Sequence, residues 1–283
     1  MSFAVRQINL QFTSNGKTLS LKGLRCIANI TNPGGNSAYG SLQLKVFGMT
    51  LAQMNEYSST GSNMVAAQNT SVVVDAGNEG DVALQQVFSG TIISSFIDFA
   101  SVPDVSFNCS AVTGYFAKAN TISSNSFNGS HNAEDIIQAL ALTNGFKFQN
   151  GGAHAVLQNQ NVYGSAVDQM QTIANNAAIP LKIENNTVYI WANNGNVDNV
   201  IIEVSPTTGL VGYPSYWMGG FTVKSEFKPL IANGRTIKLT SSIPKANGLF
   251  PIHTCTHDIS TLTPDGAWFT TSQLNPSIYV APN

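Results

Sequence analysis

Apolar and polar residues alternate with a period of two through most of the first 118 residues. That spacing marks half-buried strands, because successive strand side chains point to opposite faces. Segments 8–12, 19–22, 25–30, 40–47, 71–74, 84–88, 90–97 and 105–110 carry the pattern, and turn signals such as Asn15-Gly16 and Pro103-Asp104 separate them. One stretch departs from it. Leu51, Met54 and Tyr57 share a helical face behind Thr50, which is placed as an N-cap. A sandwich or barrel crossed by one short helix is the expectation for this region.

Near residue 131 the period changes to 3.6. Residues 131–145 predict a helix with Glu134 and Asp135 in its first turn and Asn144-Gly145 as its stop. A second helix is predicted over 163–179, capped by Ser165 with Asp168 at the box position and closed before Pro180. Short strands at 146–148 and 155–157 and a hairpin at 181–191 around Asn185-Asn186 complete a self-contained α+β unit. The stretch 119–130 before it reads as a linker. After residue 196 the β pattern returns, with strands at 200–204, 221–227, 236–240, 248–257 and 268–270. Residues 274–283 read as a tail that docks on something or frays. The expected order is therefore β (1–118), α+β (131–192), β (198–273) and tail.

Composition adds a constraint. Charged residues make up only 10% of the 283, against roughly 25% in ordinary soluble domains, and Asn, Ser, Thr and Gly take their place. A surface with so few charges resists self-association poorly. It is expected either to be covered by neighbouring subunits or to carry neutral polar side chains on its outer strand faces. The net charge of −2, with Lys and Arg scattered, argues against a nucleic-acid binder, which needs a basic stripe to neutralise phosphates. No apolar run approaches the roughly 18 residues of a membrane span, and the first residues lack the layout of a secretory signal. Folding in a cytoplasm is expected, with Cys26, Cys109 and Cys255 as reduced buried thiols.

Candidate chemistry is sparse. His253, Cys255 and His257 alternate along one predicted strand and could share a face. Same-face neighbours lie about 7 Å apart along a straight strand, too far for all three to reach one Zn²⁺. A structural role is the expectation. No Gly-X-Ser-X-Gly elbow is present, and Glu134, Asp135 and Asp265 read as isolated acids, without the paired pattern of a glycosidase. No catalytic residue, metal ligand or cofactor is assigned. Tyr213, Tyr216, Trp217, Met218 and Phe221, interleaved with Gly212, Gly219 and Gly220, form an aromatic strip. Aromatics and Met favour interface cores, so these five are the candidate subunit interface. Pro214 makes the strip an irregular edge or loop.

Three runs carry a family resemblance. They are 133–191, with its Ala-Glu-Asp-Ile-Ile helix, Gly145-Phe-Lys-Phe and Thr187-Val-Tyr-Ile-Trp hairpin; 208–244, with Thr208-Gly-Leu-Val-Gly-Tyr-Pro and Phe227-Lys-Pro-Leu-Ile; and 248–270, with Gly248-Leu-Phe-Pro-Ile and Asp265-Gly-Ala-Trp-Phe-Thr. In this order the last half of the chain resembles the baseplate hub proteins of tailed phages, the late-control-D and Mu-type hub family. The resemblance implies a mainly β chain in which two tube-like β-barrel or sandwich domains flank the two-helix α+β unit. It also implies that His257 and Asp258, within the third run, fix a turn by hydrogen bonding. It implies a non-enzymatic homotrimer that joins a hexameric tail tube to a trimeric spike or tip and contacts other baseplate proteins. DNA would pass through its channel without specific binding. The implied location is the virion tail, after assembly in the host bacterial cytoplasm. Contractile and non-contractile tails are not distinguished. The rival readings are a receptor- or carbohydrate-binding tail component, using the aromatic strip, and a cell-wall hydrolase.

Overall fold

The structure, a computed structural model, describes residues 5–34, 39–59, 70–81, 83–100, 102–115, 120–192, 195–217 and 220–275. Seven strands make the first β region: β1 (Arg6–Ser14), β2 (Lys17–Leu21), β3 (Cys26–Asn32), β4 (Ser41–Phe47), β5 (Ser71–Asn78), β6 (Gln85–Asp98) and β7 (Ser106–Val112). Helix α1 (Leu51–Tyr57) follows β4. Thr50 accepts from the Gln53 amide and Gln53 Oε1 accepts from the Thr50 amide, a closed capping box. Met54 and Tyr57 turn inward as the spacing predicts, but Leu51, expected on the same face, is 54% exposed at the first turn.

The segments 84–88 and 90–97 are one 14-residue strand, β6. Two register shifts, opposite Val74/Asp75 of β5 and at Ile92/Ser94 against β7, reverse the inward phase along it. Gly90 sits at the bend, where a Cβ would lie 2.7 Å from both the Phe88 ring and the Val112 carbonyl oxygen.

The middle unit holds β8 (Asn125–Asn132), α2 (Ala133–Thr143), β9 (Lys147–Gly151), β10 (Val156–Val162), α3 (Ala166–Asn176), β11 (Leu181–Glu184) and β12 (Thr187–Trp191). Both predicted helices are present. Asn144 closes α2 with its amide and side chain on the Leu140 carbonyl, and Gly145 turns at φ +80°. Ser165 and Asp168 cap α3 reciprocally. The helices pack on the sheet β11-β12-β9 around Ile137, Met170, Ile173, Leu181 and Ile190. The described part of the expected linker is largely strand: 125–132 is β8, paired antiparallel with β10. Both strands are mostly polar: the apolar 155–157 announced only the start of β10, and nothing announced β8.

The last region adds β13 (Ile201–Val204), β14 (Leu210–Trp217), β15 (Gly220–Glu226), β16 (Thr236–Leu239), β17 (Gly248–Thr261) and β18 (Trp268–Leu274). Thirteen strands share one sheet in the order β14-β15-β18-β17-β3-β4-β7-β6-β5-β1-β2, with β16 also on β17 and β13 beside β16. This path has free ends, so the barrel alternative is corrected: the fold is mainly β, with a large, mostly antiparallel sheet and, among the described residues, no closed barrel. The two β regions, far apart in the chain, are not separate sheets.

Strand β17 joins them. Its start pairs with β16, and from Cys255 to Thr261 it pairs with β3. Phe250, Ile252 and Cys255 lie in the C-terminal core, while Ile259 lies in the N-terminal core with Phe227 and Trp268. Of the predicted tail, Leu274 ends β18 and the Asn275 amide donates to the Pro251 carbonyl. Residues 276–283 lie outside the described residues.

Candidate functional site

The aromatic strip lies on the β14–β15 hairpin at one end of the sheet. Pro214 removes a ladder donor, and the register shifts between Val211 and Ser215, so β14 is the irregular edge that its sequence predicts. Tyr213 and Tyr216 are 74% and 67% exposed. Trp217 is half-buried: its Nε1 donates to the Leu274 carbonyl at 3.3 Å and its ring stacks on His253 at 5.9 Å. Phe221 does not share the surface. It is only 8% exposed and packs in the C-terminal core, under Tyr216 (4.9 Å) and edge-on to Phe250 (5.3 Å). Met218 lies outside the described residues. The structure thus leaves two exposed tyrosines, backed by a Trp–His stack, as the accessible part of the strip.

The residues of the His-Cys-His run do not converge. A register shift between Ile252 and Thr254 breaks the alternation, leaving Cys255 and His257 inward and His253 half-buried beside Trp217. Among the described residues no group of three His, Cys, Asp or Glu side chains gathers. The Cys255 thiol is pushed up to about 11 by burial and meets the Ile231 carbonyl and the Asn32 amide, so it carries no thiolate at neutral pH. His257 sits in mid-strand, so the expected turn bond is corrected: its Nδ1 pairs with Thr270 Oγ1 of β18 at 2.9 Å, and Asp258 Oδ1 accepts from Asn29 Nδ2 of β3. These bonds join strands.

Burial against the Phe227 ring lowers the His257 pKa to about 4. The folded chain holds this imidazole neutral, while the unfolded chain binds its proton near the ordinary value of about 6.5. Stability is therefore complete above about pH 6.5 and is lost progressively as the pH falls toward 4. Urea midpoints recorded across that window should fall, and His257→Gln should flatten the slope. A parent chain with no slope there would contradict the buried neutral state.

The acids are less isolated than their spacing suggests. Glu134 at the start of α2 pairs with His154 and accepts from the Ala155 amide. Desolvation opposes ionisation there, but these hydrogen bonds outweigh it and lower the Glu134 pKa. The pair pins the β9–β10 loop to the helix. Asp135 accepts from Asn132.

The α+β unit is held to the β body by a polar relay that no sequence motif announced. Lys182 donates to Glu184 and to the Asn233 carbonyl, both at 2.9 Å, and Asn233 Nδ2 donates to the Pro33 carbonyl at 2.9 Å. Arg235 clasps Asp198 through Nε (2.8 Å) and Nη2 (2.6 Å) and donates Nη1 to the Leu230 carbonyl. Desolvation raises Asp198, but this clasp prevails and lowers its pKa. Beside the junction lies a cavity of about 410 Å³, lined in part by Pro180, Trp191, Asn233, His253 and Asn275. Among the described residues its lining carries no carboxylate, Lys or Arg.

On the outer face of β17, β3, β4 and β7, polar side chains, all but Asp258 neutral, satisfy one another. Thr31 bonds Thr256 (3.3 Å), Asn29 bonds Asp258 (2.5 Å) and Ser110 bonds Gln43 (2.7 Å). This ladder is how a surface with few charges stays hydrogen-bonded.

Solved structures share the fold. The 43 kDa tail protein of prophage MuSo2 from Shewanella oneidensis aligns over 95% of this chain and 98% of its own, with TM-score 0.60 and 8% identity. A tail protein from Neisseria meningitidis MC58 gives TM-score 0.60 and 11% identity over 95% and 96% of the two chains. The c3393 protein of E. coli, a type VI secretion component described as similar to the T4 tail proteins gp27 and gp5, gives 0.58 and 11% over 94% and 76%. No curated protein sequence matches the chain. The model of the family described as baseplate hub gp41 matches residues 29–272. With that match spanning both β regions and the α+β unit between them, the chain belongs to the baseplate hub gp41 family of phage tail proteins.

Proposed function

We propose that this chain is the structural hub of a tailed-phage baseplate or tail tip. In this reading it forms a homotrimeric ring joining the hexameric tail tube to the trimeric spike or tip, with a channel for DNA and no catalytic role. The supporting observation is the continuous sheet: through β17, each chain holds one β core before and one after the α+β unit in a fixed relation. Residues 1–118 and 198–273 would then act as two tube-like domains per chain, and three chains would present six similar elements to a six-fold tube. The α+β unit, 131–192, would sit outside that ring. An outer ladder with few charges suits surfaces that neighbours cover, and a surface poor in Lys and Arg would let DNA slide past.

Cryo-electron microscopy of intact particles tests the ring directly. Three-fold density for this chain on the tube axis, between tube and spike, is the expected result; a single off-axis copy would overturn it. The contact residues have their own test. Tyr213→Ser with Tyr216→Ser should leave monomer stability within about 0.5 kcal/mol, because both side chains are exposed. The same pair should raise the dissociation constant of the trimer about tenfold or more, as expected when interface aromatics are truncated. If the double variant instead abolishes glycan binding and leaves assembly intact, the strip is a receptor site.

A further inference from the structure

A gap remains where the N-terminal β region curves back on itself. Strand β1 pairs with β5 from Arg6 onward, but its ladder with β2 begins only at Leu10 opposite Leu21. The Val5 carbonyl accepts from the Glu79 amide at 2.7 Å, which turns Val5, and by alternation Gln7 and Asn9, toward β5. Arg6 and Ile8 therefore direct their backbone N–H and C=O to the other side, where no described strand pairs with them.

Across the gap stands the end of β17. Thr261 Oγ1 donates to the Leu24 carbonyl and accepts from the Cys26 amide, pinning the β2–β3 corner there. Between the two edges lies a cavity of about 370 Å³ whose lining includes Val5, Arg6, Ile8, Lys22, Leu24 and Leu262.

Two features of this seam concern charge and strain. Arg6 is held in place by donating to the Gly266 carbonyl at 2.7 Å and lying over the Trp268 ring. Lys22 lines the same cavity, and among the described residues neither cation has a carboxylate partner. The cavity lining itself holds no acid. Leu262 at its mouth adopts φ +50° and is 69% exposed. A bulky residue in left-handed backbone is unfavourable, and here no burial offsets the cost.

We propose that the seam receives an extended acidic segment of another polypeptide, added as a strand to the Arg6–Ile8 edge. Alternate carboxylates, about 7 Å apart on one face of such a strand, would meet Arg6 and Lys22, and an apolar side chain would cover Leu262 and Leu24. Main-chain bonds to the open edge supply attachment, and the cations select the acidic partner. This assignment stands apart from the ring: it needs neither three-fold symmetry nor the tyrosine strip.

The test uses the full chain and a capped heptapeptide alternating Glu and Val, with two controls: a Lys-for-Glu twin and a version N-methylated at alternate amides. Exchange of the Arg6 and Ile8 amides is followed by NMR. The Glu peptide should slow both at least tenfold at saturation, and neither control should. Lys22→Glu, on an exposed side chain, and Arg6→Gln should each weaken binding about tenfold or more while the core amides keep their protection. Absence of slowing with the Glu peptide, or equal slowing with either control, overturns the proposal. So does exchange in the free chain that is already slow and becomes slower with chain concentration, which would assign the seam to a second copy.

Discussion

Replacing Gly234 with alanine is expected to cost about 2–5 kcal/mol, the sum of a left-handed backbone penalty and overpacking. Gly234 turns at φ +85°, and a Cβ there would run into Val197 Cγ2 and lie 3.2 Å from the Trp191 ring. Neither neighbour can yield easily. The Val197 amide is bonded to the Gly234 carbonyl at 2.7 Å, and Trp191 ends β12 in a buried position. The substitution therefore strains the junction between the α+β unit and the β body, between the Asn233 and Arg235 contacts. The urea midpoint should drop sharply, and protection of the Lys182 and Trp191 amides should fall with it. A midpoint within about 0.5 kcal/mol of the parent, the range of ordinary surface substitutions, would show that this packing does not exist in solution.

Phe12→Ala is expected to cost about 3–5 kcal/mol, the usual loss for removing a fully buried ring. Phe12 is inaccessible to solvent, meets Phe107 edge-on at 5.7 Å and packs against Tyr57 of α1 at 5.5 Å. The cavity left behind would open between the helix and the sheet, so helix amides should lose protection along with those of β1. Phe96→Ala is the matched control. Phe96 is 56% exposed, and its truncation should change the stability of the monomer by no more than about 0.5 kcal/mol. Equal losses for the two variants, measured by urea unfolding, would contradict the inward and outward assignment of these strands.

The helices were legible because their signals are local. Thr50 with Gln53, Ser165 with Asp168, and Asn144-Gly145 each act within four residues, and the structure uses all three as caps and stops. The Asn185-Asn186 hairpin was equally readable, since both residues take positive φ, as a tight hairpin turn requires. Strand β8 was not. Asn125–Asn132 is polar on both faces and pairs with the mostly polar β10, so its partner, and not its own pattern, makes it a strand. In β6 and β17, register shifts reverse the inward face partway along, which made one strand read as two in the first case and aligned His253 with Cys255 on paper in the second. Among the candidate interface residues, alternation could not tell the exposed Tyr216 from the buried Phe221, because both lie on an edge hairpin beside glycines.

Composition, hydrophobic period and turn residues settled by themselves that this chain is mainly β, carries few charges, and has α-helices at the three places where the described residues show them. Those properties depend on each residue and its near neighbours in the chain. Only the tertiary structure decided that the two β regions share one sheet, that β17 serves two cores, and that the relay Lys182–Asn233–Pro33 fastens the α+β unit. It alone decided that, among the described residues, no strand pairs with the outer edge of Arg6 and Ile8. The shared sheet and the relay depend on contacts between residues 51 to 235 positions apart, where free energy is set by complementary surfaces brought together, and no local pattern encodes which surface meets which.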